Sequence, residues 1–263
     1  MNKAILILVD GMRPDGMTAC GHPEVQKLMA EGKSTLRGRT VMPSVTLPCH
    51  MSLMHSVDPE RHGVLTNTFT PQVRPVTGLF AQLAKYDKKN AFFYGWCELK
   101  DLYQPETLAD AVFISGHSHP WDESCDRLTA QAAEYLRSDD PDFLFLYLGE
   151  VDEVGHKYGW MSAEYLRAIQ HAFDCIEKIR AALPEDSILL VTADHGGHDR
   201  SHGTDQPEDM TIPMFFYGRC FEKGKQLEGL NLMDLAPTIA SLMGANLSRE
   251  WEGNDWSERL RKS

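Results

Sequence analysis

The chain reads as an α/β protein, with a mostly parallel central sheet and helices on both of its faces. Short apolar runs bounded by polar or glycine-rich turns alternate with amphipathic segments, which is the rhythm of βα units. Four of those runs are dense enough in apolar residues to be strands buried on both faces. The composition agrees. At 263 residues, 42% hydrophobic and 24% charged, the chain can bury a large core without disulfides or a structural metal.

Taken in order, Ala4–Val9 is the first strand, six apolar residues ending in Asp10-Gly11. A helix follows over residues 24–31, then a second over 78–86 and a strand over 91–94. Residues 124–137 space apolar side chains at helical intervals and lead into the strand Phe143–Leu148. A helix over 163–183 precedes the strand Ile188–Thr192, a strand covers 214–217, and a helix over 232–242 stops near Gly244. No repeat or linker interrupts this series, so residues 1–263 are expected to form a single α/β domain. Residues 64–119, with Pro71, Pro75 and Pro105, fit the rhythm less well and are expected to be an elaboration on the substrate side.

Charge narrows the function. With 26 Lys and Arg against 38 Asp and Glu, the net charge is −12, which argues against nucleic-acid polymers and anionic membranes as partners. An anionic substrate would need a local cationic centre. The first apolar run is too short for a secretory or membrane segment. The six cysteines show no C-x-x-C pair, so free thiols and a cytoplasmic location are expected.

Four constellations carry chemistry, three of them beyond predicted strands, where α/β sheets gather ligands. Asp10 ends the first strand. Asp152 and His156, four apart after Phe143–Leu148, share one face if the segment turns helically. Asp194 and His195 end Ile188–Thr192 and are followed by Gly196, Gly197, His198 and His202. So many histidines and aspartates just past a buried strand are poorly explained by packing, because each must be hydrogen-bonded or solvated. The fourth is Pro43-Ser44-Val45-Thr46-Leu47-Pro48-Cys49-His50, read as a proline-restrained loop. Its hydroxyls are either ordinary loop groups or contain a nucleophile that a divalent cation could ionise. Nitrogen and oxygen donors of this mix suit zinc, with manganese also possible. Six side chains exceed what one tetrahedral ion can use, so two ions about 3.5–4 Å apart are expected.

The order of these motifs resembles the alkaline phosphatase superfamily, and most closely its type I phosphodiesterase/nucleotide pyrophosphatase branch. The resemblance runs from Leu8-Val9-Asp10-Gly11 through the Thr46 segment, Asp58 to Gly63, Asp152 to His156 and Ala193 to Gly197, to His202-Gly203 and Asp234 to Thr238. It implies an alkaline-phosphatase-like core and assigns Asp10, Thr46, Asp194 and His195 to one zinc and Asp152, His156 and His202 to the other. Thr46 would be the nucleophile, forming a covalent phosphothreonine with a small-molecule phosphate ester. His50, His62, His117, His119 and His198 would be supporting or substrate-facing groups.

The implied activity is a two-metal phosphodiesterase or nucleotide pyrophosphatase. The alternatives are a phosphomonoesterase or phosphonate hydrolase with the same metals, or a non-catalytic zinc protein. A monoesterase would need arginine forks, for which Arg37, Arg39, Arg61 and Arg74 are candidates. Thr46 stands where a sulfatase would carry a modified cysteine or serine. One departure matters: many nucleotide-cleaving relatives carry asparagine three residues after the nucleophile, and here that residue is Cys49, a poor hydrogen-bond donor. The amide that would hold a phosphoryl oxygen must come from elsewhere.

Overall fold

A computed structural model describes residues 3–261. Among the described residues, eight strands form one sheet in the order β4-β3-β5-β1-β6-β7-β2-β8. In chain order they are β1 (Ala4–Val9), β2 (Lys33–Arg39), β3 (Asn90–Tyr94), β4 (Asp110–Phe113), β5 (Phe143–Leu148), β6 (Ile188–Thr192), β7 (Thr211–Tyr217) and β8 (Lys225–Gln226). The sheet is mostly parallel: among the described strands β7 alone runs against its two neighbours, β6 and β2. The central trio β5-β1-β6 pairs Ile7 with Leu146 on one side and Val191 on the other, and all three strands are buried throughout. That double burial explains their continuous apolar runs.

The helices are α1 (Pro14–Ala19), α2 (Pro23–Glu31), α3 (Thr46–His55), α4 (Pro59–His62), α5 (Leu79–Ala84), α6 (Trp121–Ser138), α7 (Glu150–Tyr158), α8 (Ala163–Ala181), α9 (Pro207–Met210), α10 (Leu235–Leu242) and α11 (Ser257–Leu260). They fall into two packing groups, with α1, α2, α6 and α7 gathered round α8, and α3, α4, α5 and α11 joined through α3 and α10. In α8 the buried set Tyr165, Ala168, Ile169, Ala172, Ile176 and Ile179 repeats at three and four residues and forms the stripe that packs inward.

Three strands lie outside the expected series. β4 and β8 sit at the two edges, and β4 is largely exposed, so neither needs an apolar run. β2 is polar in sequence, yet its Lys33 is buried with Nζ donating to the Arg259 carbonyl at 2.7 Å. β7 begins at Thr211, ahead of the expected 214, because Pro213 is tolerated inside it. Pro213 offers no N–H, and the register of β2 slips between Thr35 and Gly38 opposite it.

The segment around Thr46 is corrected more substantially: it is the buried helix α3, not a loop. Pro48 sits in the first helical turn, where the missing N–H would have no partner within the helix.

Candidate active site

All seven predicted residues meet at the carboxyl ends of β1, β5 and β6. Asp10 follows β1, Asp152 and His156 lie on α7 one turn apart just beyond β5, and Asp194 and His195 follow β6. His202 reaches the site from the loop before α9, and Thr46 is the first residue of α3. Two glycines allow this convergence. Gly11 adopts φ +69°, and a Cβ there would meet Asp152 at 2.9 Å. A Cβ on Gly197 would lie 2.2 Å from the Trp160 ring, whose Nε1 donates to the Gly11 carbonyl at 2.9 Å.

The donors form two groups, Asp10-Asp194-His195 and Asp152-His156-His202, each with ligand atoms within 4.8 Å of one another. The first group is buried and the second is more open. His195 Nε2 is 3.3 Å from Asp10 Oδ1, 3.5 Å from Asp194 Oδ2 and 3.1 Å from Thr46 Oγ1. In the second group His156 Nε2 is 3.4 Å from Asp152 Oδ2, and His202 Nε2 is 3.7 Å from Asp152 Oδ1. The rings of His195 and His202 stack at 3.9 Å between centroids and join the groups.

Two observations indicate that these groups fit cations. Asp10 Oδ1, Asp152 Oδ1 and Asp194 Oδ2 are buried without a hydrogen-bond partner, a costly state for a carboxylate oxygen. The second concerns protons. His156, His195 and His202 each direct Nδ1 at a backbone carbonyl, of Arg200 (3.0 Å), Gly196 (2.8 Å) and Ser44 (2.9 Å) respectively. A carbonyl only accepts, so each Nδ1 carries the proton and each Nε2 presents a lone pair. The Nε2 atoms of His156 and His202 thus face each other as acceptors at 3.1 Å, an arrangement that a shared cation relieves.

The electrostatics agree. Burial, together with the charges of Asp194 and Asp152, pushes the Asp10 carboxyl well above its usual range. Asp194 is pushed up to about 8 by burial and by Asp152, and Asp152 is raised chiefly by burial. Burial, then His202, holds His195 neutral. Tyr147, at the end of β5, stays protonated through burial and Asp10, and donates to Asp10 Oδ2 at 2.5 Å.

The surroundings contain groups that sequence reasoning missed. A cavity of about 100 Å³ opens beside Asp10, Thr46, Asp152, His156 and His202, and its other walls are Asn67, Trp96, His117, Trp121, Tyr147, Gly149 and Glu153. Asn67 accepts from the Leu47 N–H at 3.0 Å, so its carbonyl oxygen is tied to the first turn of α3. A lone asparagine in a mixed polar stretch carried no spacing signal. Trp121 sits in a notch where a Cβ on Gly116 or Gly149 would come within 2.3 or 2.4 Å of its ring.

Cys49 is buried away from this cavity and accepts from Thr40 Oγ1 at 3.3 Å. Arg37, Arg39, Arg61 and Arg74 do not line it, and Arg61 instead bonds the Arg74 carbonyl. Among the other histidines, His50 is fully buried with Nδ1 2.8 Å from the Thr46 carbonyl, and His62 meets Ser52 Oγ. His198 faces the buried Asp209, and His119 lies against Arg127. His117 reaches the cavity.

Comparison with known proteins bears on the fold and the family. Human ectonucleotide pyrophosphatase/phosphodiesterase family member 1 is 27% identical over 219 residues, covering 73% of this chain and 23% of that protein. The 2,3-bisphosphoglycerate-independent phosphoglycerate mutase of Clostridioides difficile is 26% identical over 181 residues, covering 66% of this chain and 35% of the mutase. The chain therefore spans 23% to 35% of the length of these relatives. Among solved structures, murine ectonucleotide pyrophosphatase/phosphodiesterase 5 in complex with AMP superposes with a TM-score of 0.83 at 16% identity, covering both chains fully. A 2-O GAG sulfatase superposes with a TM-score of 0.82 at 14% identity, covering 99% of this chain and 74% of the other. The core is thus alkaline-phosphatase-like in architecture. Residues 4–211 match the sequence family described as type I phosphodiesterase/nucleotide pyrophosphatase, and the chain belongs to that family.

Proposed function

We propose that this protein hydrolyses small phosphodiesters through attack by Thr46, with two divalent cations seated by Asp10-Asp194-His195 and Asp152-His156-His202. The observation that carries this reading is one buried hydroxyl, at a helix N-terminus, beside His195 of one donor group and on the cavity that the other donor group lines. Zinc is the ion of choice for nitrogen and oxygen donors without sulfur, and manganese is the alternative. When bound, such ions lower the pKa of an alcohol and offset phosphoryl charge.

The chain's own residues supply the rest. Thr46 Oγ1 lies 3.1 Å from the unprotonated Nε2 of His195, and the α3 N-terminus adds a favourable dipole for an anion. Attack on phosphorus would form the Thr46 Oγ1–P bond and break the P–O bond to the leaving alcohol, which departs with the proton Thr46 gives up. The phosphothreonine, still esterified to the diester's second alcohol, would then be cleaved by water to free Thr46 and a phosphomonoester. Asn67, its oxygen held by Leu47 N–H, is left with the side-chain NH₂ for a phosphoryl oxygen, the role that Cys49 cannot fill. His50 anchors the first turn of α3 from within the core. Residues 64–119 would form the substrate side, since Asn67, Trp96 and His117 come from that stretch.

The preference for diesters rests on what lines the cavity. No Lys or Arg is among those residues, and Glu153 is, a poor setting for the extra charge of a monoester. A panel of p-nitrophenyl monoester, diester and phosphonate substrates, with zinc or manganese added, tests the reading. A diester rate far above the others is expected. A monoester rate in excess would reassign the substrate class, and no turnover by metal-replete protein would support a binding role.

A further inference from the structure

We propose that Asp126, His171 and Cys175 form an additional transition-metal site, separate from the catalytic groups and distinguished from them by a thiolate ligand. His171 and Cys175 stand one turn apart on α8, and Asp126 faces them from α6. Their donor atoms all lie within 4.8 Å of one another. His171 Nε2 is 3.4 Å from Asp126 Oδ2 and 4.0 Å from Cys175 Sγ. Tetrahedral zinc places such N···O and N···S pairs at about 3.3 and about 3.6 Å, so a shift of a few tenths of an ångström completes the geometry.

The neighbours prepare the histidine for a metal. Glu150 Oε2 lies 2.5 Å from His171 Nδ1, the carboxylate–histidine pairing that fixes the Nδ1–H tautomer and raises the basicity of Nε2. Nε2 is thereby turned toward the sulfur and Asp126. Lys178 binds Asp126 through the other oxygen, Oδ1, at 2.6 Å, which leaves Oδ2 for a single bond to a cation. Without a cation His171 is held protonated, up to about 11, by its contacts with Cys175 and Glu150. A metal takes imidazole and cysteine in their deprotonated forms, so uptake would displace the proton from His171 Nε2. Asp126 is half-exposed and gives the ion its way in, while Cys175 is the buried inner ligand.

A thiolate selects zinc, cobalt or cadmium over magnesium or manganese, and three protein donors leave a fourth position for water. The site would brace α6 to α8. Through Glu150 it would also brace the first turn of α7, the helix that carries Asp152 and His156.

Cobalt(II) substitution of the full chain tests this. The catalytic groups contain no sulfur, so a near-ultraviolet thiolate-to-cobalt charge-transfer band reports this site alone, whether or not the protein turns over a diester. The band is expected in the unaltered protein, absent in Cys175→Ser together with one metal equivalent, and retained in Cys97→Ser, which alters the exposed thiol. Should the buried substitution impair folding, Asp126→Asn at the half-exposed position is expected to weaken cobalt uptake, read by the same band, at least tenfold. Absence of the band, its persistence in Cys175→Ser or its loss in Cys97→Ser would overturn the proposal and leave His171 as an imidazolium paired with Glu150 and Asp126.

Discussion

A threonine hydroxyl is an ordinary alcohol, and three features set Thr46 apart: His195 Nε2 at 3.1 Å, Asp10 with its unpaired oxygen on the same small cavity, and the position at the N-terminus of α3. Thr46→Ala is expected to reduce diester turnover to background while metal content by elemental analysis stays nearly unchanged, because six donor side chains remain. Full activity in that variant would remove Thr46 as nucleophile. Asn67 tests the second role. Loss of one preorganised donor to a developing oxyanion typically lowers kcat about 10²–10³-fold, and Asn67→Ala is expected to fall in that range with little change in KM. A change in KM alone would make Asn67 only a cap for α3. The two residues also differ in how legible they were. Thr46 stood in a motif; Asn67 is separated from it by α3 and α4, and only folding brings its amide back to the first turn of α3.

At the scale of elements, legibility followed burial. β1, β5 and β6 are buried on both faces and announce themselves as apolar runs. β2, β4 and β8 lie toward the edges and do not. α7 was legible only as a condition, since Asp152 and His156 share a face if the segment turns helically, and it stood outside the expected series of helices. α3 was not, since two prolines within six residues resemble a loop until Pro48 is placed in a first turn that needs no N–H.

That helical segment also makes a prediction about acid. His55 on α3 and His62 on α4 are each held down to about 4, chiefly by burial. An unfolded histidine titrates near 6.5, so between these values the unfolded chain binds more protons than the native one. Stability is therefore present above pH 6.5 and lost as pH falls toward 4, by up to about 3 kcal/mol per site. Urea unfolding at pH 7 and pH 4.5 is expected to show this loss, and His62→Gln should make the difference smaller. An unchanged difference would mean that His62 accepts its proton within the fold.

The whole molecule carries a net charge of −12 and gathers three aspartates at one end of its sheet. Such an arrangement is poor without cations, because burial already resists ionisation of Asp10, Asp152 and Asp194. Chelation is thus expected to lower thermal stability as well as abolish turnover. Zinc at about a thousand times its dissociation constant should add about 4 kcal/mol per site to the folded state. Equal melting temperatures with and without chelator would show that the fold does not depend on the ions. The central claim is that loops from three strands assemble two cation sites around one hydroxyl. Anomalous diffraction from crystals grown with zinc tests it most directly. Two peaks are predicted, one among Asp10, Asp194, His195 and Thr46 and the other among Asp152, His156 and His202; density at neither place, or one peak serving both groups, would contradict it.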